Sequence, residues 1–259
     1  MSLFLLFRNK TISKLKNTIL GKAILSIIEK PKKGIIHIIS ASRHSEAAFW
    51  SHSALGQSLI SVNNRPDIKL HIHYENKIGL SAIYNQHISH ENKKDLLVFV
   101  HDDVWFDTET WLDDIRAGLG RFDVIGVAGN RRLLPSHPAW LFHTVNSQGF
   151  HWDSAFLSGE VGHGKNRNGS RMHYGHFPME CQALDGVLLA AQCSKLLQAK
   201  VRFDERFSFH FYDLDFCRSA TSKRLILGTW GIKITHQSMG VFGSPTWQEG
   251  YQIYLNKWN

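Results

Sequence analysis

Short apolar runs and segments of helical periodicity take turns along the first half of this 259-residue chain. GIIHIIS, DIKLHIHY, LLVFV and DVIGVAG have strand character, and EAAFWSHSALGQSLISV, GLSAIYNQHISH and residues 109–119 between them repeat their apolar positions at helical spacing. Strand–helix alternation predicts an α/β fold with a mostly parallel central sheet and helices on both faces. Ligands of such sheets bind at the carboxyl ends of the strands. The run Leu96–Val100 is apolar throughout, as expected of a strand buried on both faces, yet it ends in His101, Asp102 and Asp103. Adjacent carboxylates repel each other, which is tolerable when a divalent cation or water lies between the charges.

Charge is unevenly spread. Residues 1–33 carry eight Lys/Arg against Glu29 alone, whereas the remaining residues hold 22 basic and 21 acidic groups. A near-neutral body disfavours nucleic acid as a partner. Within residues 1–33, Leu15, Ile19, Leu20, Ala23, Ile24, Ile27 and Ile28 recur at helical spacing among lysines, predicting a basic amphipathic helix. Two roles fit such a leader: peripheral contact with an anionic membrane, or packing on the domain with a solvated lysine face. No apolar stretch approaches the roughly 18 residues of a membrane span. Three cysteines, Cys181, Cys193 and Cys217, without CxxC spacing argue against a disulfide framework and fit a cytoplasmic setting.

The pattern divides the chain into the leader, residues 1–33, and one domain, residues 34–259. Within the domain, 34–130 and 181–259 are regularly patterned and 131–180 is irregular. The irregular segment contains six His and three Pro, and its GHGKNRNGS stretch is expected to be a mobile loop. Trp140, Phe142, Phe150 and Trp152 there fit either a stacking wall for a ligand or the core of that lobe. His71 and His73 fall on one face of a strand.

In order, NKIGLSAIYNQHI, FVHDDVWF, LDGVLLA, FDERFSFHFYDLDFCRSA and ITHQSMG resemble the family 2-type inverting glycosyltransferases, most closely the bacterial branch associated with capsular and other surface polysaccharides. The resemblance covers about residues 34–258. It implies the GT-A nucleotide-diphospho-sugar transferase fold, a Mn²⁺ or Mg²⁺ ion, a nucleotide-diphospho-sugar donor and a glycan or lipid-linked acceptor. On this resemblance HDD stands where the family has Asp-x-Asp, making Asp103 and His101 metal ligands, with Asp102 contacting ribose or metal. An imidazole ligand leans toward Mn²⁺. Ser40, Ser42, Glu75, Asn76 and Asn85 become candidate contacts to the nucleotide, Asp185 to the donor sugar or acceptor, and His236 a further metal ligand.

In YDLDF the resemblance puts Tyr212 where relatives carry Glu and assigns Asp213 as general base. Positions i and i+2 of a helix point about 200° apart, so Asp213 and Asp215 cannot share one role. A helix N-terminus favours an ionised Asp213, and Asp215 is expected to bond to backbone or to a neighbour such as Arg218 at i+3. The implied activity is metal-dependent inverting sugar transfer. A non-catalytic sugar-nucleotide-binding protein and a metal-dependent phosphoesterase are the alternatives.

Overall fold

In the computed structural model, residues 32–258 are described; the amphipathic leader expected within residues 1–33 lies almost wholly outside them. The expected α/β class is what the structure shows. Strands β1 (Ile36–Ala41), β2 (Ile68–His73) and β3 (Leu96–Val100) alternate with helices α1 (Glu46–His52), α2 (Ala54–Leu59) and α3 (Leu80–His87). β4 (Val104–Phe106), α4 (Trp111–Arg121), β5 (Val124–Gly126) and β6 (Ala128–Asn130) follow. The single long helix expected after β1 is broken at Ser53, whose hydroxyl donates to the Phe49 carbonyl and accepts from the Gly56 amide. One residue thus ends α1 and caps α2.

Residues 131–180 are irregular only in part. They form two hairpins, β7 (Phe142–Asn146) with β8 (Gly149–Trp152), and β9 (Leu157–His163) with β10 (Ser170–Gly175). The GHGKNRNGS stretch supplies the turn of the second hairpin and both its flanking strand ends. These strands are rich in His, Gly, Arg and Ser and β10 is half solvated, so they lack the apolar alternation by which a strand announces itself. Then come β11 (Glu180–Cys181), β12 (Ala183–Leu184), β13 (Leu188–Gln192), α5 (Cys193–Ala199), α6 (Tyr212–Ser222), β14 (Leu227–Thr229), β15 (Ile234–His236) and α7 (Pro245–Trp258).

The large sheet has the order β11-β14-β5-β13-β3-β1-β2. It is mixed rather than mostly parallel: β1 pairs parallel with β2 and β3, and β14 with β5, while β13 lies antiparallel between β3 and β5. β13 runs backward because it follows β12 through a short turn at the strand tips. β3 and β13 are buried at every residue, as central strands covered on both faces should be. A smaller sheet, β12-β6-β9-β15-β4, carries β10 on β9. The chain passes from one sheet to the other at residues 101–103, between β3 and β4, and again at 185–187, between β12 and β13. These two crossings touch, the His101 amide donating to the Val187 carbonyl at 3.2 Å.

The HIH pair of β2 joins a larger cluster away from those crossings. His37 lies 3.1 Å from an Asp95 oxygen and 2.9 Å from His71, and His73 lies 3.3 Å from His87 at the end of α3. Burial first, then the charges of neighbouring histidines, lower His71 and His87 to about 4. Their unfolded-state value is near 6.5, so the unfolded chain takes up protons first as pH falls. The stability they contribute is present above about pH 6.5 and is lost as pH falls toward 4. Melting temperature measured from pH 7 to 4.5 should drop accordingly, and His87→Gln should flatten that drop. A pH-independent melting temperature over this range contradicts the assignment.

Candidate active site

The carboxyl ends of β1, β2 and β3 open into a cleft of about 1040 Å³. Ser42, Glu75, Asn76, His101, Asp102 and Asp103 all line it, so the strand-tip motif and most of the expected nucleotide contacts come together. Ser42 accepts from the His44 amide, and its nearby hydroxyl offsets part of the burial that raises Asp102. Asn76 folds its amide onto Ile78 and so shapes the loop after β2.

Two of the expected contacts are not brought there. Ser40 is buried within β1, its hydroxyl without a partner, and does not line the cleft. Asn85 is a structural residue: its amide donates to the Phe203 carbonyl and Glu205, and its oxygen accepts from the Phe203 amide. Its place in a helical motif concealed this use, because the partner segment is more than 100 residues distant.

His236 reaches the strand tip because β15 pairs antiparallel with β4, placing His236 opposite Val104, next to Asp103. Its Nε2 lies 3.2 Å from Asp103 Oδ1 and 3.0 Å from Ser238 Oγ. Burial works against charge on both members of this pair, but their mutual hydrogen bond and attraction prevail. Asp103 is held at about 2, and His236 is raised. His101 is drawn down to about 4, mainly by burial. One ligand atom from each of His101, Asp103 and His236 falls within 4.8 Å of the others, a separation that a single ion can span. Two imidazole nitrogens and a carboxylate oxygen fit a divalent transition metal, whereas Mg²⁺ prefers oxygen.

Across the second crossing stands Asp213, in the first turn of α6. Its Oδ2 accepts from the Gly186 amide at 2.9 Å and its Oδ1 from Leu214 at 2.8 Å. Here the structure changes the expectation of a simply ionised carboxylate at a helix start. Burial, and next the charge of Asp185, push Asp213 up to about 7, against the opposing pull of those amides. A carboxylate poised near neutrality is suited to exchanging protons at physiological pH. Asp185 itself is raised by burial and accepts from the Val187 amide. Gly186 between them admits no side chain, since a Cβ there would stand 2.3 Å from the Tyr212 hydroxyl and 2.9 Å from the Asp213 side chain. Gly186 is thus the residue whose amide holds Asp213 in place.

The residue before α6 is also specialised. Phe211 adopts a φ of 64°, a left-handed conformation that costs a non-glycine residue on the order of 1–3 kcal/mol. Trp247, Tyr251 and Tyr254 of α7 pack on its ring and hold it there. Asp215 does not pair with Arg218, which donates instead to the Leu134 and Pro135 carbonyls. Its carboxylate, fully buried, receives Lys257 Nζ at 2.7 Å and Trp258 Nε1 at 2.8 Å, fastening α7 to α6. The aromatic residues of the small-sheet lobe divide in role. Phe142 is buried against Phe150 and Phe242, whereas Trp140, with Phe211 and Trp247, also borders a cavity of about 40 Å³ beside Asp213. Trp152 is exposed.

Comparison with curated proteins gives no match. Among solved structures the chain is similar to a mannosyltransferase from Pyrobaculum calidifontis in complex with GDP-Man and Mn²⁺, at 10% identity and a TM-score of 0.41; the match covers 88% of this chain and 63% of that one. The model of the glycosyltransferase-like family matches residues 67–229, which takes in the strand-tip motif, the Asp185–Gly186 crossing and the start of α6 with Asp213. By that match across more than half its length, the chain belongs to the glycosyltransferase-like family.

Proposed function

We propose that this protein is a metal-dependent, inverting glycosyltransferase of GT-A type, moving a sugar from a nucleotide-diphospho-sugar to a hydroxyl of a glycan or lipid-linked acceptor. The observation that carries this reading is the pairing, across two touching chain crossings, of a three-ligand group with a half-buried carboxylate that two backbone amides orient and that is pushed up to about 7. His101, Asp103 and His236 would hold Mn²⁺ or Mg²⁺, the two imidazoles favouring Mn²⁺. A divalent ion there supplies positive charge for the departing diphosphate.

The chain's own groups supply the rest. Ser42, Glu75 and Asn76 face the cleft where a nucleoside would lie. Asp213 accepts the proton of the attacking acceptor hydroxyl through the carboxylate that Gly186 and Leu214 orient. Asp185, one crossing residue away, keeps the affinity of Asp213 for that proton high. Attack on the anomeric carbon from the side opposite the departing group inverts its configuration. The hollow beside Asp213, walled by Trp140, Phe211 and Trp247, offers aromatic faces to an acceptor sugar.

The basic leader, residues 1–33, is proposed to hold the protein peripherally at an anionic membrane on its cytoplasmic side, near a lipid-linked acceptor of surface polysaccharide synthesis. Among the described residues no helix is long and apolar enough to cross a membrane. The test is a panel of nucleotide sugars, each assayed by thermal shift with Mn²⁺ and with excess chelator, followed by transfer to glycan acceptors. Ligand binding raises melting temperature by mass action, so at least one donor should stabilise the protein only with the ion present. Stabilisation without turnover on any acceptor favours the non-catalytic sugar-nucleotide binder, for which the substitutions at His101 and Tyr212 argue. No response to any donor overturns both.

A further inference from the structure

The hydroxyl of Tyr212 has one proton and makes two close hydrogen bonds, with the Tyr84 hydroxyl also nearby. It donates to the Gly186 carbonyl oxygen at 2.7 Å, an atom that can only accept. Nε2 of His101 lies 2.9 Å from the same hydroxyl oxygen. Since the Tyr212 proton is already committed, this second bond exists only if His101 Nε2 carries a hydrogen and donates it. A neutral imidazole protonated at Nε2 has its one lone pair at Nδ1. Tyr212 is itself immobile: it is 3% exposed, and its ring packs against Tyr84 and Phe203. Phe209 lies against the other side of the His101 ring.

We propose that Tyr212 is a positioning residue for the metal group: by accepting from His101 Nε2 it fixes the tautomer and plane of that imidazole, so that Nδ1 is the ligand atom offered beside Asp103 and His236. The inference rests on the metal-binding part of the proposed function and deepens it. A hydrogen-bonded partner on the far nitrogen of a metal-binding histidine orients the ring and increases its basicity, and losing such a partner typically costs 10–100-fold in metal affinity. Tyr212 also couples the two crossings. Its hydroxyl holds Gly186 through the carbonyl while the Gly186 amide holds Asp213, so the placement of the ion and of the base run through a single residue.

The experiment is a Mn²⁺ titration of the full chain, with the free ion followed by electron paramagnetic resonance and no nucleotide added. Tyr212→Phe removes only the hydroxyl and should weaken Mn²⁺ binding by roughly 10–100-fold. In a His101→Asp background, where no imidazole remains to be oriented, the same change should alter affinity by less than about twofold; double-mutant cycles detect coupling of this kind. Equal losses in both backgrounds mean that Tyr212 acts only as scaffold, and overturn the inference. So does undiminished binding by Tyr212→Phe. A readout that needs no variant is the ¹⁵N spectrum of the His101 ring in metal-free protein at pH 8. Nε2 should be protonated and Nδ1 bare; the reverse assignment overturns the proposal. Wild-type protein that binds no Mn²⁺ while showing the expected tautomer would instead sink the metal-dependent reading itself, leaving the hydrogen-bond geometry intact.

Discussion

Asp213→Asn should fold, bind the donor nucleotide with nearly wild-type affinity and lose transfer by roughly 10²–10⁴-fold, the range associated with general acid–base catalysis. Asparagine keeps the shape of the carboxylate and removes a half-buried charge that Asp185 repels, but its amide nitrogen cannot accept, so one of the Gly186 and Leu214 amides loses its partner and the melting temperature should fall modestly. The contrasting variant is Asp215→Asn. There the fully buried carboxylate is bonded to Lys257 and Trp258, and losing one member of a buried charge pair costs about 3–5 kcal/mol. It should melt markedly lower while retaining more transfer activity than Asp213→Asn. Rates against pH give an independent check. Asp213 must be deprotonated to act, so kcat/KM should rise about tenfold per unit below pH 7 and level off above it. Asp185→Asn removes the neighbouring charge and should move that break to lower pH. A transfer rate unaffected by Asp213→Asn, or a break that stays in place in Asp185→Asn, refutes the assignment.

Asp103→Ala should abolish the metal dependence of nucleoside diphosphate binding and lower transfer on the order of 10³-fold. The magnitude follows from the several kcal/mol of charge stabilisation that a metal ion provides, at about 1.36 kcal/mol per factor of ten. Asp103 is the sole carboxylate of the three-ligand group, and its protonation is held at about 2, so it presents a full negative charge at any working pH. Calorimetric titration of a nucleoside diphosphate with Mn²⁺ and with excess chelator decides the point. Equal wild-type affinity in the two conditions is incompatible with the prediction.

The strand-tip part of this site was legible in the sequence because local signals carried it. An all-apolar run followed by HDD fixes both the strand and the end at which chemistry must sit, and YDLDF marks a helix start whose two carboxylates point apart. What stayed hidden depends on long-range pairing. That β13 enters backward between β3 and β5 is invisible in a run of Leu and Ala, and with it the meeting of His101 and Val187. The sequence around Gly186 carries no sign of its role because its constraint comes from Tyr212 and Asp213, 26 and 27 residues away. Tyr212 and His101 each registered as a departure from a family pattern; only the fold shows them 2.9 Å apart. Arg218 stood at the right helical spacing from Asp215, yet backbone carbonyls of another segment claimed it. The strands of residues 142–175 lack a clear strand signal because polar and small residues interrupt the apolar alternation of Phe142, Phe150, Leu157 and Val161.

The backward strand β13 also has a bearing on biogenesis. Until residues 188–192 leave the ribosome, the wholly apolar β3 has a bare edge on the side that β13 will occupy, while β1 and β2 are already available on the other. At ordinary rates of synthesis this interval lasts on the order of ten seconds. An unpaired apolar strand edge is a template for pairing with other chains. Nascent chains of this protein therefore pass through a stage at which intermolecular association competes with folding, and yield in the cell depends on how well chaperones shield that edge until β13 closes it.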